Sequence, residues 1–152
     1  MDIGDRLPEI TLEDQAGEKV ALAAIGAGPL VVYFYPKDDT PGCTTEANDF
    51  TALAPEFSAA GARVVGISRD SVAKHARFTA KHDLGVRLLS DEDGAACEAF
   101  GTWVEKSLYG RNYMGIERAT FLFDAKGVLV RAWRKVRVKG HAAAVLEAVK
   151  TF

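Results

Sequence analysis

Leu30-Val31-Val32-Tyr33-Phe34-Tyr35-Pro36-Lys37-Asp38-Asp39-Thr40-Pro41-Gly42-Cys43-Thr44-Thr45-Glu46 is the stretch on which the fold turns. Its first six residues are apolar and β-favouring without a polar break, the pattern of a strand buried on both faces. Pro36 ends the strand. Thr40 is suited to cap a helix and Pro41 to occupy its first position, where a missing N–H leaves nothing unpaired. Cys43 then falls in the first turn. From Thr44 to Ala60 the residues Ala47, Phe50, Leu53, Ala54 and Phe57 recur at helical spacing, and Ala62 to Ser68 repeats the buried-strand character. Strand, helix and strand in that order predict parallel strands joined by a right-handed crossover.

Working outward, a second helix is expected from Ser71 to His82, with Val72, Ala76, Phe78 and Thr79 inward, followed by a strand at Val86–Leu89. A short helix should run from Ala95 to Phe100 and stop at Gly101. Ala119–Asp124 and Val128–Trp133, joined by Ala125-Lys126-Gly127, predict an antiparallel hairpin. The basic stretch Arg131–Lys139 alternates with apolar residues and reads as a strand with one solvated face. Gly140 opens a closing helix, His141 to Phe152, with Ala144, Val145, Ala148 and Val149 inward. Parallel and antiparallel strands flanked by helices on both faces make this an α/β chain with a mixed central sheet.

The 152 residues suffice for one domain, 1–152, with its own core. A net charge of -2 offers no field for nucleic acid or an anionic membrane. No cationic leader precedes an apolar run, and no uninterrupted apolar stretch of about 18 residues occurs, so the expectation is a soluble, cytoplasmic protein. Two cysteines, Cys43 and Cys97, cannot make a disulfide scaffold, and with three histidines they do not suggest structural zinc.

At the start of a helix, partial positive charge and free N–H groups favour a thiolate over a thiol. Strand, tight loop and helix together put Cys43 at the carboxyl end of the sheet, where open α/β folds build sites. On these grounds alone Cys43 is either an activated nucleophile or a small buried apolar residue behind a capping turn.

The segment Phe34 to Glu46 resembles the active-site segment of the peroxiredoxins, specifically the Q-type or bacterioferritin-comigratory branch. Pro36, Thr40 and Cys43 match that family's Pro-x-x-x-Thr-x-x-Cys motif. Tyr109 to Phe121 is similar to the segment carrying the family's active-site arginine, which puts that role on Arg118. The resemblance extends from Gly4-Asp5 and Pro8 to the final helix. It implies a thioredoxin-like fold with peroxiredoxin additions, and a thiol peroxidase acting on hydrogen peroxide or alkyl hydroperoxides. In such an enzyme the Cys43 thiolate attacks the O–O bond and becomes a sulfenic acid. Arg118 stabilises the charge, the Thr40 hydroxyl and loop N–H groups orient the peroxide, and Pro36 walls the pocket. No cofactor or metal is implied, and a monomer or a weak homodimer is expected. Glu46 could pair with an arginine or cap an N–H; unpaired, it would oppose the thiolate.

The chain departs from its relatives in how the sulfenic acid is reset. Asn48 and Thr79 stand where relatives place a resolving cysteine. Cys97 lies in an apolar helical context, as a packed thiol or as the partner of a Cys43–Cys97 cycle that would require the two Cα atoms within roughly 7 Å. The preferred expectation is one-cysteine recycling by thioredoxin, glutaredoxin or a small-molecule thiol. A disulfide reductase would use Cys-x-x-Cys, whereas Cys43 is followed by Thr44-Thr45-Glu46. A binding or chaperone-like module without turnover would have no need of Pro36, Thr40, Cys43 and Arg118 together.

Overall fold

The structure is a computed structural model that describes residues 1–26 and 28–152. The apolar run becomes β3 (Leu30–Phe34), every residue of it buried. Around it the chain forms β1 (Thr11–Asp14), β2 (Lys19–Ala21), α1 (Pro41–Ala59), β4 (Arg63–Ser68), α2 (Val72–His82), β5 (Arg87–Ser90) and α3 (Ala95–Phe100). The second half adds β6 (Trp103–Leu108), β7 (Arg111–Ile116), β8 (Ala119–Phe123), β9 (Leu129–Trp133) and α4 (His141–Val149). Seven strands make one sheet in the order β2-β1-β5-β4-β3-β8-β9, and β6 and β7 make a separate hairpin. β3 pairs parallel with β4 and antiparallel with β8, and β4 pairs parallel with β5, so the sheet is mixed as expected.

Because side chains alternate along a strand, β3 supplies two cores. Val31 and Tyr33 face α1, α2 and α4, packing with Phe50, Phe57, Phe78 and Val145. Leu30, Val32 and Phe34 face the other way, toward Cys97 and Phe100 of α3. Tyr33 lies over β4, where a Cβ on Gly66 would come within 2.6 Å of its ring, and it stacks on Phe50 with ring centroids 4.6 Å apart. That seats α1 flat on the strand preceding it, with Cys43 at the end of the contact.

Several expectations are corrected. On α2 the buried residues are His75 and Phe78, while Ala76 is exposed, because the helix turns its histidine toward buried carboxylates on the loop after β3. On α4, Ala144 is exposed and His141, Ala142 and Leu146 join the inward face; the helix ends at Val149 and leaves Phe152 exposed. The strand read through Arg131–Lys139 stops at Trp133, since Lys135 turns the backbone into the left-handed region at φ 47°. The chain then folds back, and the Val136 N–H donates to the Arg118 carbonyl at 3.0 Å. The β1–β2 and β6–β7 hairpins carry too little apolar alternation to be legible beforehand. β6–β7 turns on Tyr109 and Gly110, both at positive φ (52° and 76°), the requirement of a tight two-residue hairpin turn met without the usual Asn-Gly signal.

Candidate active site

Thr40 holds the N-cap position of α1 in extended conformation and Pro41 follows at the start of the helix. The Thr44 N–H already donates to the Thr40 carbonyl at 2.8 Å. Since Pro41 has no N–H, the free donors of the first turn are those of Gly42 and Cys43. The Thr40 hydroxyl does not cap these groups as expected of an N-cap threonine; it donates to the Lys37 carbonyl at 2.8 Å. With its proton committed there, the oxygen is left as an acceptor.

Cys43 is 2% exposed. Arg118, in the short link between β7 and β8, has its backbone fixed from both sides: the Glu117 N–H donates to Thr102 and the Arg118 carbonyl accepts from Val136. Its guanidinium donates through one nitrogen to Cys43 Sγ at 3.4 Å and through the other to Glu46 Oε1 at 2.6 Å. The planar fork of an arginine suits this double task, and it stays charged at any working pH. Burial works against that charge, but the anions of Glu46 and Cys43 more than offset it and push the Arg118 pKa up.

Glu46, one turn after Cys43 and ambiguous from its position in the sequence, is part of the cluster through Arg118. Its side chain is 1% exposed and its second oxygen has no hydrogen-bond partner among the described residues. Burial pushes its carboxyl up to about 7, with Arg118 pulling the other way. The Tyr33 hydroxyl, raised first by burial and then by Glu46 and Cys43, stays protonated nearby. His141 donates or accepts across 2.7 Å with Thr120 and is held down at about 4, by burial first and then by the Arg118 charge.

Pro36 is exposed and, with Lys37, Trp103, Lys106, Tyr113 and Ile116, lines an open cavity of about 510 Å³ beside the site. The β6–β7 hairpin thus supplies a wall that nothing in its sequence announced. Lys106 on that wall has its pKa lowered, by burial and then by the charge of Arg118. Cys43 and Arg118 are therefore brought into contact, and Thr40 and Pro36 flank them on the loop before α1.

Cys97 is fully buried on α3, in the core on the opposite face of the sheet from Cys43. The Ala96 and Cys97 N–H groups donate to Asp91, and burial, then the hydrogen bond and charge of Asp91, pushes the Cys97 thiol up to about 12. A thiol so placed is neither exposed nor ionised near neutrality.

What this geometry can do is hold a sulfur anion beside a fixed cation at the start of a helix. Residues 3–132 match the model of the AhpC/TSA family. The chain is 52% identical over 142 residues to "Peroxiredoxin Bcp" of Xanthomonas campestris pv. campestris, covering 93% of this chain and 89% of that one. It is 45% identical over 150 residues to "Peroxiredoxin Bcp" of Bacillus subtilis, covering 99% and 96%. A solved structure of the Xanthomonas campestris bacterioferritin comigratory protein, described for its alkyl peroxide reduction activity, superposes with a TM-score of 0.92 at 49% identity over 99% of this chain and 98% of that one.

Proposed function

The chain belongs to the AhpC/TSA family and is a thiol peroxidase of the peroxiredoxin kind, with a thioredoxin-like fold; from that premise we propose that Cys43 is its peroxide-attacking residue, served by Arg118, Thr40 and Pro36. The observation that carries the assignment is the Arg118 guanidinium bridging Cys43 Sγ and Glu46.

In this reading the Cys43 thiolate attacks the terminal oxygen of a hydroperoxide. An S–O bond forms, the O–O bond breaks, and the departing hydroxide or alkoxide takes a proton to leave as water or alcohol. Sulfur is oxidised to the sulfenic acid and the peroxide is reduced. Negative charge moves from sulfur to the leaving oxygen, and Arg118 is charged throughout. The Gly42 and Cys43 N–H groups offer hydrogen bonds to the peroxide oxygens, and the Thr40 oxygen accepts from the peroxide O–H. Pro36 and the hairpin wall limit water at the reacting atoms. The cavity beside Pro36, with Trp103, Tyr113 and Ile116, accommodates an alkyl hydroperoxide as well as hydrogen peroxide.

The sulfenic acid is reset by an external thiol, thioredoxin, glutaredoxin or a small molecule, because Cys97 lies beneath the other face of the sheet. One thiol condenses with the sulfenic acid, releasing water and leaving a mixed disulfide; a second thiolate displaces Cys43. Such a cycle fits the reducing cytoplasm. The test is stopped-flow oxidation of reduced protein by stoichiometric hydrogen peroxide. Fast loss of the Cys43 thiol, slowed about 100- to 1,000-fold in Arg118→Ala, is the expected result. Oxidation no faster than that of a free thiol rejects the assignment.

A further inference from the structure

The loop that delivers Cys43 is tied down by a buried polar network that touches neither Cys43 nor Arg118. Asp38, 8% exposed, uses its N–H and both carboxylate oxygens. Its N–H donates to Asp70 Oδ2 at 2.8 Å, its Oδ1 accepts from the Tyr35 hydroxyl at 2.6 Å, and its Oδ2 lies 2.6 Å from His75 Nδ1. His75 reaches in from α2 with no exposed surface, and its other nitrogen, Nε2, is 3.0 Å from the Leu89 carbonyl oxygen of β5. Asp70 also accepts from the Ser68 hydroxyl at 2.7 Å.

The donors and acceptors fix the protons. A carbonyl oxygen only accepts, so Nε2 of His75 carries a hydrogen. Nδ1 lies 2.6 Å from an Asp38 oxygen, and the other oxygen of that carboxylate already takes a hydrogen bond from Tyr35, so one proton is shared between ring and carboxylate. The Asp38, Asp70 and His75 donor atoms all lie within 4.8 Å of one another. Of the two carboxylates, Asp38 meets the imidazole directly, while Asp70 pairs at 4.0 Å with Lys74, whose side chain is half exposed.

We propose that His75 is a positioning residue for Cys43: a buried imidazole bonded through Nδ1 to Asp38 and through Nε2 to the Leu89 carbonyl, which clamps Asp38, and with it the loop between β3 and α1. This rests on the reading of Cys43 as the peroxide-attacking residue. The loop needs holding, because Asp39 sits in the left-handed region at φ 61°, a conformation that L residues other than glycine seldom adopt. On the outside Asp39 binds Lys81 and His82 at the end of α2, at 2.7 and 2.8 Å, so the loop is strapped to α2 at two points. The inner strap is the buried one and fixes the approach to the first turn of α1.

Peroxide attack requires sulfur, Arg118 and the loop donors in register, whereas alkylation, in which the thiolate displaces iodide from iodoacetamide, requires an accessible Cys43 thiolate but not the loop donors. Loosening the clamp therefore moves the two reactions in opposite directions. In His75→Gln the second-order rate constant with hydrogen peroxide should fall about 10- to 100-fold, as expected for a small misplacement of reacting groups. Alkylation of Cys43 by iodoacetamide should speed up in the same sample, with far-UV circular dichroism unchanged at the assay temperature. A folded variant whose peroxide rate equals that of the native chain overturns the proposal, as does one in which both rates fall together. Nitrogen-15 NMR of histidine-labelled native protein decides independently of whether the variant folds: a slowly exchanging proton on His75 Nε2, held on the Leu89 carbonyl, is expected, and an Nε2 without one overturns the clamp. If native protein itself shows no fast, Cys43-dependent oxidation, it is the assignment of Cys43 that fails.

Discussion

Glu46 is held at about 7 beside Cys43, and its carboxylate shares one guanidinium with the sulfur. Ionisation of Glu46 above neutrality therefore draws Arg118 toward the carboxylate and away from the sulfur, which slows peroxide attack. Glu46→Gln keeps an acceptor for the arginine and removes the charge. The expected outcome is that the native pH–rate profile for hydrogen peroxide carries an inflection near pH 7 that is missing in Glu46→Gln, with the variant the faster on the alkaline side. Identical inflections in both proteins would show that Glu46 does not modulate the site. Before the structure, this glutamate was ambiguous because a carboxylate one turn after a nucleophile means opposite things depending on whether a cation meets it. The cation comes from 72 residues away.

The elements place the two cysteines in separate layers. α1 and α3 pack against opposite faces of the sheet, so β3, with all its residues buried, lies between the layers holding Cys43 and Cys97. Bringing the sulfurs together would require more than unwinding one turn of α1. Cys97→Ser should accordingly leave both the peroxide burst and steady-state turnover with an external thiol at native levels, while lowering the urea midpoint, because a hydroxyl replaces a sulfur in an apolar layer. Loss of turnover with an intact burst would instead make Cys97 the resolving thiol. The helix α1 also runs through Pro55, where a sequence reading that weighed proline alone would end it. Phe50 and Phe57, both buried on the face toward β3 and α4, hold the helix on either side of that proline.

Across the whole molecule, two buried groups give stability opposite dependences on pH. Glu46 sits at about 7 against an ordinary 4.5, and His141 at about 4 against an ordinary 6.5. Between pH 4.5 and 6.5 the folded chain keeps a proton on Glu46 that the unfolded chain has released, and lacks on His141 a proton that the unfolded chain binds. Stability follows the difference in bound protons, so Glu46 weakens the fold as pH rises through this window and His141 weakens it as pH falls. In the native protein the two slopes largely cancel. Removing one uncovers the other: Glu46→Gln should lose about 3 kcal/mol between pH 6.5 and 4.5, and His141→Asn should lose a similar amount from pH 4.5 to 6.5. Urea unfolding at several pH values measures both, and parallel slopes in all three proteins would refute the pairing.

The sequence by itself determined the central strand, the helix opening at Thr40-Pro41 and the position of Cys43 in its first turn, because apolar runs, helical spacing and proline chemistry act over a few residues. The pairing of Ala119–Phe123 with Leu129–Trp133 was legible for the same reason, since a short turn fixes its own partners. Only the tertiary structure decided that Arg118 meets both Cys43 and Glu46, that the basic stretch after Trp133 turns back to pin Arg118, and that Cys97 lies beneath the other face. The Asp38–His75 clamp belongs there too: a histidine on one face of a short helix carries no local mark of the carboxylate it will meet. These contacts join residues far apart in the chain, and their energies exist only once the sheet has brought them together and excluded water.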